Sequence, residues 1–231
     1  VIAHRGASGS RPENTLAAFR RAVEVGAHMV ELDVQCTRDG AVVVLHDDTL
    51  DRTTDGMGPV HHQTLAELAE LDAGRWFDAA YAGERIPTLD AVLHAVPIPI
   101  NVELKAGADD GLERRTLASV IDAGALQRVV FSSFQADRLA RLRALSPTAE
   151  LAVLWDHTAM AGALQLAEGV GARALHIRTS RSAPQGIASG HAAGLAVRVW
   201  TVNAQADLAP LLAAGVDAVF TDYPERFLLD A

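Results

Sequence analysis

The sequence predicts a closed (β/α)8 barrel with a small insertion after its second strand. Short apolar runs bounded by turn residues alternate with helix-length segments along the whole chain, and about eight such strands remain once a hairpin strand is set aside. That number closes a (β/α) barrel. No Gly-x-Gly-x-x-Gly turn follows the first run, which argues against an open doubly wound sheet. Several runs also end in ionisable residues. A parallel strand covered on both faces reads as apolar throughout, so charges at strand ends mark the rim where barrels carry their active sites.

The elements follow in order. Residues 2–4 form the first strand. Asn14 or Thr15 caps a helix that runs to about residue 25, with Gly26 as its stop. Residues 29–34 form the second strand. Thr37-Arg38-Asp39-Gly40 has turn chemistry, and residues 41–46 return as an extended run. So short a link suits an antiparallel hairpin rather than a parallel crossover. Residues 47–85 break the rhythm and read as the insertion. Within it, 51–58 is polar and turn-rich, 64–71 is a short helix with Thr64 as cap and Glu67 at the capping-box position, and Trp76 and Phe77 form a local aromatic cluster. It is too small for an independent core. The alternation resumes at 86–88 with a helix at 89–94. Strands at 100–104, 129–134, 151–155, 174–177, 196–202 and 218–221 then alternate with helices at 111–121, 136–145, 160–170, 184–193 and 206–214.

Composition sets the outer bounds. At 231 residues, 49% hydrophobic and 21% charged, the chain suits one domain filling residues 1–231. The one cysteine, Cys36, allows no internal disulfide. A formal net charge of −9 argues against a nucleic-acid partner. It also means that any anion site needs a local cluster of positive charge. No apolar run is long enough for stable membrane insertion and no signal peptide precedes Val1, so the expectation is a cytoplasmic protein. Oligomeric state has no signal in the sequence.

The strand ends collect a short list of chemical groups. The first strand ends in His4 and Arg5, the second in Glu31 and Asp33, the hairpin in His46, and the third barrel strand in Glu103 and Lys105. The seventh ends near Trp200 and Asn203, the eighth at Asp222. Residues two apart on a strand share a face, so Glu31 and Asp33 point the same way, as do Glu103 and Lys105. Three carboxylates at one barrel mouth repel unless neutralised. Oxygen ligands of this kind suit a hard divalent cation, Mg²⁺ or Ca²⁺, and a salt-bridged interior is the competing reading. His4 and His46 titrate near neutrality and suit an acid-base pair, against a purely structural hydrogen-bonding role. Arg5 and Lys105 supply the local positive charge for a phosphate, unless they merely pair with the carboxylates. Trp200 walls a small ligand or simply packs. His176 and Arg178, ending the sixth strand, are weaker candidates. Ser132 and Ser133 lack the Gly-x-Ser-x-Gly elbow of a nucleophile.

These residues sit in segments that resemble the glycerophosphodiester phosphodiesterases. The matching stretches are His4-Arg5-Gly6, Pro12-Glu13-Asn14-Thr15, Glu31-Leu32-Asp33-Val34, Thr37-Arg38-Asp39-Gly40 and His46-Asp47. They continue through Leu50-Asp51-Arg52-Thr53-Thr54-Asp55-Gly56, Ile86-Pro87-Thr88-Leu89, Asn101-Val102-Glu103-Leu104-Lys105, Phe131-Ser132-Ser133-Phe134, Trp200-Thr201-Val202-Asn203 and Thr221-Asp222-Tyr223-Pro224. The resemblance spans the chain in order. It implies a TIM barrel with a small insertion after strand two, and hydrolysis of glycerophosphodiesters to sn-glycerol 3-phosphate and an alcohol. It implies a divalent metal on Glu31, Asp33 and Glu103, general acid and base at His4 and His46, and phosphate contacts from Arg5 and Lys105. Two rivals are carried: a related phospholipase D-like barrel acting on phospholipid or lysophospholipid, and a non-enzymatic barrel that binds a phosphorylated metabolite. Which histidine is acid and which is base, and whether water or a glycerol hydroxyl attacks, does not follow from the sequence.

Overall fold

A computed structural model describes residues 1–105, 111–180 and 182–228. Eight parallel strands close into a barrel: β1 (Ile2–Ala3), β2 (Met29–Cys36), β4 (Ile100–Leu104), β5 (Val129–Ser133), β6 (Glu150–Trp155), β7 (Ala174–Arg178), β8 (Ala196–Trp200) and β9 (Ala218–Thr221). β1 pairs with β2 on one side and β9 on the other, so the sheet has no open end. β3 (Val42–Val44) pairs antiparallel to β2, with Val34 opposite Val44. The hairpin strand is therefore shorter than the extended run expected at 41–46, and the strand expected at 196–202 stops at Trp200.

The outer layer is α1 (Leu16–Glu24), α3 (Leu89–Ala95), α4 (Leu112–Asp122), α5 (Ala136–Leu145), α6 (Met160–Val170), α7 (Ala183–Ala192) and α8 (Gln205–Ala213), while the short α2 (Leu65–Ala69) lies in the chain between β3 and α3. The last strand departs from the expected pattern. Among the described residues it is followed by a 3-10 turn, Pro224–Arg226, rather than an α-helix.

Local chemistry sets these elements. Thr15 accepts a hydrogen bond from the Ala18 amide and caps α1, which leaves the neighbouring Asn14 side chain for another partner. Thr64 and Glu67 complete the expected capping box of α2. The strands β4 and β5 are buried at every position, as two-sided cover requires. Residues 47–85 pack a satellite cluster of Leu50, Val60, Leu68 and Ala73 that is completed by Val43, Leu45 and Ile86 at its borders. Its apolar contacts thus run into the hairpin and the strand-proximal chain. No helix among the described residues is long and apolar enough to cross a membrane.

Two features aim the site. The β2–β4 register sets Asp33 beside Glu103 and Glu31 beside Asn101. After β1 the chain turns sharply: Arg5, Gly6 and Asn14 take left-handed φ values of 55°, 81° and 57°. A side chain on Gly6 would meet the Ala18 carbonyl carbon at 2.6 Å, so only glycine lets this loop lie against α1.

Candidate active site

Seven of the residues collected at the strand ends line one cavity at the C-terminal mouth of the barrel: His4, Arg5, Glu31, His46, Glu103, Lys105 and Trp200. Asn101, Phe134, Leu154 and Phe220 complete its wall. Asp33 is not part of that lining, but its carboxylate joins the acid cluster beside it. Oxygens of Glu31, Asp33 and Glu103 all fall within 4.8 Å of one another.

The three acids are 3%, 1% and 9% exposed, so water screens them little. At that spacing and an effective dielectric near 20, each pair of charges repels by about 3–4 kcal/mol. Two cations offset part of this. Lys105 Nζ donates to Glu103 at 3.0 Å and lies 3.5 Å from Asp33, and Arg5 Nε stands 3.6 Å from Asp33. Arg5 also donates its backbone N–H to Glu31 at 2.8 Å. The pairing expected as a rival to phosphate binding is therefore present.

The balance is uneven across the trio. Burial raises the Asp33 pKa, but Lys105, Arg5, His46 and the Asn14 side-chain amide outweigh it and hold the group at about 2. Burial and the Asp33 charge push Glu103 up to about 7, against the pull of Lys105. Burial, followed by the charges of Asp33 and Glu103, pushes Glu31 well above the carboxylate range. The protein's own cations thus stabilise one ionised acid more than three. A hard divalent cation fits the remaining need, because the donors are all carboxylate oxygens and converge closely enough to share one ion.

Both histidines are oriented by a carboxylate on Nδ1. His4 Nδ1 lies 2.7 Å from Asp222, and His46 Nδ1 lies 2.6 Å from Asp47. An ionised carboxylate only accepts, so Nδ1 carries the hydrogen in each ring and Nε2 is left with its lone pair. Asp222 is ionised although burial opposes it, because His4, Asn203 and Ser8 all donate to it. Asp47 is held well below its ordinary range, chiefly by hydrogen bonds from Arg52. His46 itself is pushed down by burial and by Arg5 and Lys105, against the pull of Asp33 and Asp47. Gln35, on β2, donates to the Leu45 and Asp47 carbonyls at 2.9 and 2.6 Å and anchors the chain on either side of His46.

Several groups at the site had no role in the sequence reading. Asn14 was taken as a possible helix cap, yet its Nδ2 donates to Asp33 at 2.9 Å. Glu13 accepts from Arg5 at 2.8 Å, and Phe134 meets the Trp200 ring edge-on with centroids 5.7 Å apart. The available signal was a run of polar residues between the first strand and its helix, which is where barrel loops hold functional groups. The weaker candidates separate cleanly. His176 is fully buried against Phe220 and Arg198, and Arg178 is exposed. Ser132 accepts from Asn101 and Ser133 donates to the Leu104 carbonyl, which are structural roles.

Comparison with known proteins agrees with this architecture. The sequence profile of the glycerophosphoryl diester phosphodiesterase family matches residues 4–226. A glycerophosphodiester phosphodiesterase of Caldanaerobacter subterraneus subsp. tengcongensis is 38% identical over 99% of this chain and 96% of its own length. The putative glycerophosphodiester phosphodiesterase YhdW of Bacillus subtilis is 42% identical over 100% and 97%. Among solved structures, an Oleispira antarctica phosphodiesterase in complex with the product sn-glycerol-3-phosphate is 36% identical, superposes with a TM-score of 0.87, and is matched over 97% of this chain and 93% of that one. Closed barrel, converging acids and full-length likeness together place this chain in the glycerophosphoryl diester phosphodiesterase family, as an enzyme that hydrolyses phosphoric diesters.

Proposed function

We propose that the chain hydrolyses glycerophosphodiesters to sn-glycerol 3-phosphate and an alcohol, with His4 and His46 as general acid and base and a divalent cation, Mg²⁺ or Ca²⁺, held by Glu31, Asp33 and Glu103. One observation carries the reading: two imidazoles, each fixed through Nδ1 by a carboxylate, line the same cavity as two of these acids and two cations. Binding alone needs no acid-base pair, which speaks against a passive phosphometabolite-binding barrel. On the same reading, residues 1–231 form one barrel domain and 47–85 an insertion within it.

The steps belong to named atoms. Arg5 and Lys105 face the cavity and stabilise charge on the non-bridging phosphate oxygens as the phosphorus–oxygen bonds rearrange. Nε2 of one histidine takes the proton of the attacking water or neighbouring glycerol hydroxyl, and Nε2 of the other gives a proton to the departing alcohol oxygen, each contributing roughly two to four orders of magnitude. Trp200, with Phe134 against it, walls the cavity beside the substrate. When bound, the cation supplies Lewis-acid polarisation of a phosphate oxygen and lowers the pKa of the attacking hydroxyl.

The test is glycerol 3-phosphate release from glycerophosphocholine, with and without EDTA, by the native chain, His4→Ala and His46→Ala. The expected result is loss in EDTA and in both variants. Full activity in either variant, or without cation, refutes the mechanism. Phosphorus NMR of the products distinguishes direct hydrolysis from a cyclic phosphate, and a parallel assay on lysophospholipid tests the phospholipase D-like alternative.

A further inference from the structure

Two loops that carry candidate catalytic groups meet at Arg52. Its Nε donates to Asp47 Oδ2 at 2.6 Å, and its Nη2 donates to Asp47 Oδ1 at 3.0 Å. Its Nη1 donates to Glu13 Oε2 at 2.8 Å, and Nη2 to Glu13 Oε1 at 2.7 Å. Each carboxylate has a second task. Asp47 accepts the Nδ1 hydrogen of His46, and Glu13 accepts Nη1 of Arg5. A single guanidinium therefore stands one carboxylate away from an imidazole and from a second guanidinium, both of which line the cavity.

We propose that Arg52 is a positioning residue for the hydrolysis: by forking onto Asp47 and Glu13 it fixes the tautomer of His46 and the reach of Arg5. The proposal rests on the roles given above to His46 and Arg5. Its physical basis is the shape of the group. A planar fork of donors grips two carboxylates in fixed directions, whereas a lysine is a point charge that serves one at a time. The Arg52 side chain is 43% exposed, where an ion pair adds little to the stability of the fold, so the main consequence of the network is geometric. Without Arg52, Asp47 is free to turn and the His46 ring loses its preference for hydrogen on Nδ1. Among the described residues Glu13 then keeps only Arg5 as a partner and draws that guanidinium toward itself, away from the phosphate.

The experiment uses the full chain with Arg52→Gln, Arg52→Lys and Arg52→Ala. Arg85→Gln serves as the comparator, because Arg85 also ties down the 47–85 segment, through the Glu70 and Leu71 carbonyls, without touching Glu13 or Asp47. Two readouts are combined: kcat and KM on glycerophosphocholine, and the His46 tautomer from ring-nitrogen NMR, which needs no turnover. Arg52→Gln is expected to lower kcat roughly 10- to 100-fold, the usual penalty for losing a group that orients another. It should also raise KM and turn a single His46 tautomer into a mixture. Arg52→Lys should fall between, and millimolar guanidinium should restore part of the activity of Arg52→Ala. Arg85→Gln should keep kcat and the tautomer while losing a similar amount of thermal stability. An unchanged tautomer with near-native kcat in Arg52→Gln overturns the proposal, as does a loss that only tracks unfolding. If the native chain releases no glycerol 3-phosphate but His46 still loses its tautomer in Arg52→Gln, the functional reading fails and the positioning role stands.

Discussion

Asp222→Asn isolates the orientation of one histidine while leaving size and shape intact. Asp222 accepts from His4 Nδ1 at 2.7 Å and Ser8 at 3.1 Å through one oxygen, and from Asn203 at 2.6 Å through the other. All three partners donate in the native arrangement. An asparagine must place an NH₂ where one oxygen was, so it faces Asn203 or faces His4. Asn203 is not free to turn, because its Oδ1 already accepts the Asp222 amide and the Thr221 hydroxyl. The NH₂ therefore turns toward His4, and the imidazole answers by moving its hydrogen to Nε2, which blocks proton uptake there if His4 is the base and removes the carboxylate that stabilises its imidazolium if it is the acid. The same carboxylate-to-amide change in a serine protease triad costs about 10⁴ in kcat, so a fall of about 10²–10⁴ is expected here, or about 3–5 kcal/mol at 1.36 kcal/mol per decade.

Stability should change less. The Asp222 side chain is 29% exposed, and exchanging charge-assisted for neutral hydrogen bonds removes about 2 kcal/mol. For a chain of 231 residues that lowers Tm by about 4–8 °C. The sign of the pH effect follows from the depressed folded-state pKa of Asp222. The unfolded chain binds that proton more readily, so the contribution is present above the unfolded carboxylate pKa of about 4 and is lost as pH falls through the folded value. The native-to-variant stability gap should therefore close on acidification. The assay is steady-state kinetics with glycerophosphocholine beside thermal denaturation at neutral and acid pH. A kcat within threefold of native, with the protein folded, refutes the tautomer argument.

Three further outcomes follow. Mg²⁺ or Ca²⁺ at 100 times its Kd should stabilise the native chain by about 2.7 kcal/mol, and Glu103→Gln should remove that response. A midpoint in differential scanning fluorimetry that neither cation moves counts against the carboxylate site. Gly6→Ala forces a side chain into a left-handed backbone and against Ala18, so a loss of at least about 2 kcal/mol is expected in urea denaturation; a neutral result shows that the loop relaxes away from α1. Asp72 accepts the amides of Gly74, Arg75 and Gly83. Asp72→Ala should therefore cost roughly 2 kcal/mol locally and speed hydrogen exchange at those three amides while leaving the barrel strands protected.

Much of this protein was legible along the chain because strands, caps and turns are local. The apolar runs and their flanking turn residues predicted the barrel, and the Thr64–Glu67 capping box was recognisable by spacing alone. His4, Glu31, Asp33, His46 and Glu103 were identifiable because charge at the end of an apolar run is anomalous wherever it occurs. Two local readings were refined by residues from elsewhere in the chain. The extended run at 41–46 yields Val42–Val44 as ladder; beyond it the Leu45 amide still donates to the Asp33 carbonyl, but the Leu45 carbonyl accepts from the Gln35 side chain. Asn14 and Thr15 are equivalent as helix caps by residue type, and only the arrival of Asp33 from β2 assigns Asn14 elsewhere.

The sequence by itself determined which ionisable residues end the strands and the alternation that closes a barrel. Tertiary structure alone decided their company. Closure brings β9 beside β1, so Asp222 meets a histidine 218 positions away, and the β2–β4 register brings Asp33 beside Glu103. The charge states follow from that company. Asp33 is ionised because Lys105 and Arg5 reach it, while burial and Asp33 raise Glu103. The physical reason is range: backbone propensity and capping act over a few residues, whereas a buried charge is set by whatever lies within a few ångströms, from any part of the chain.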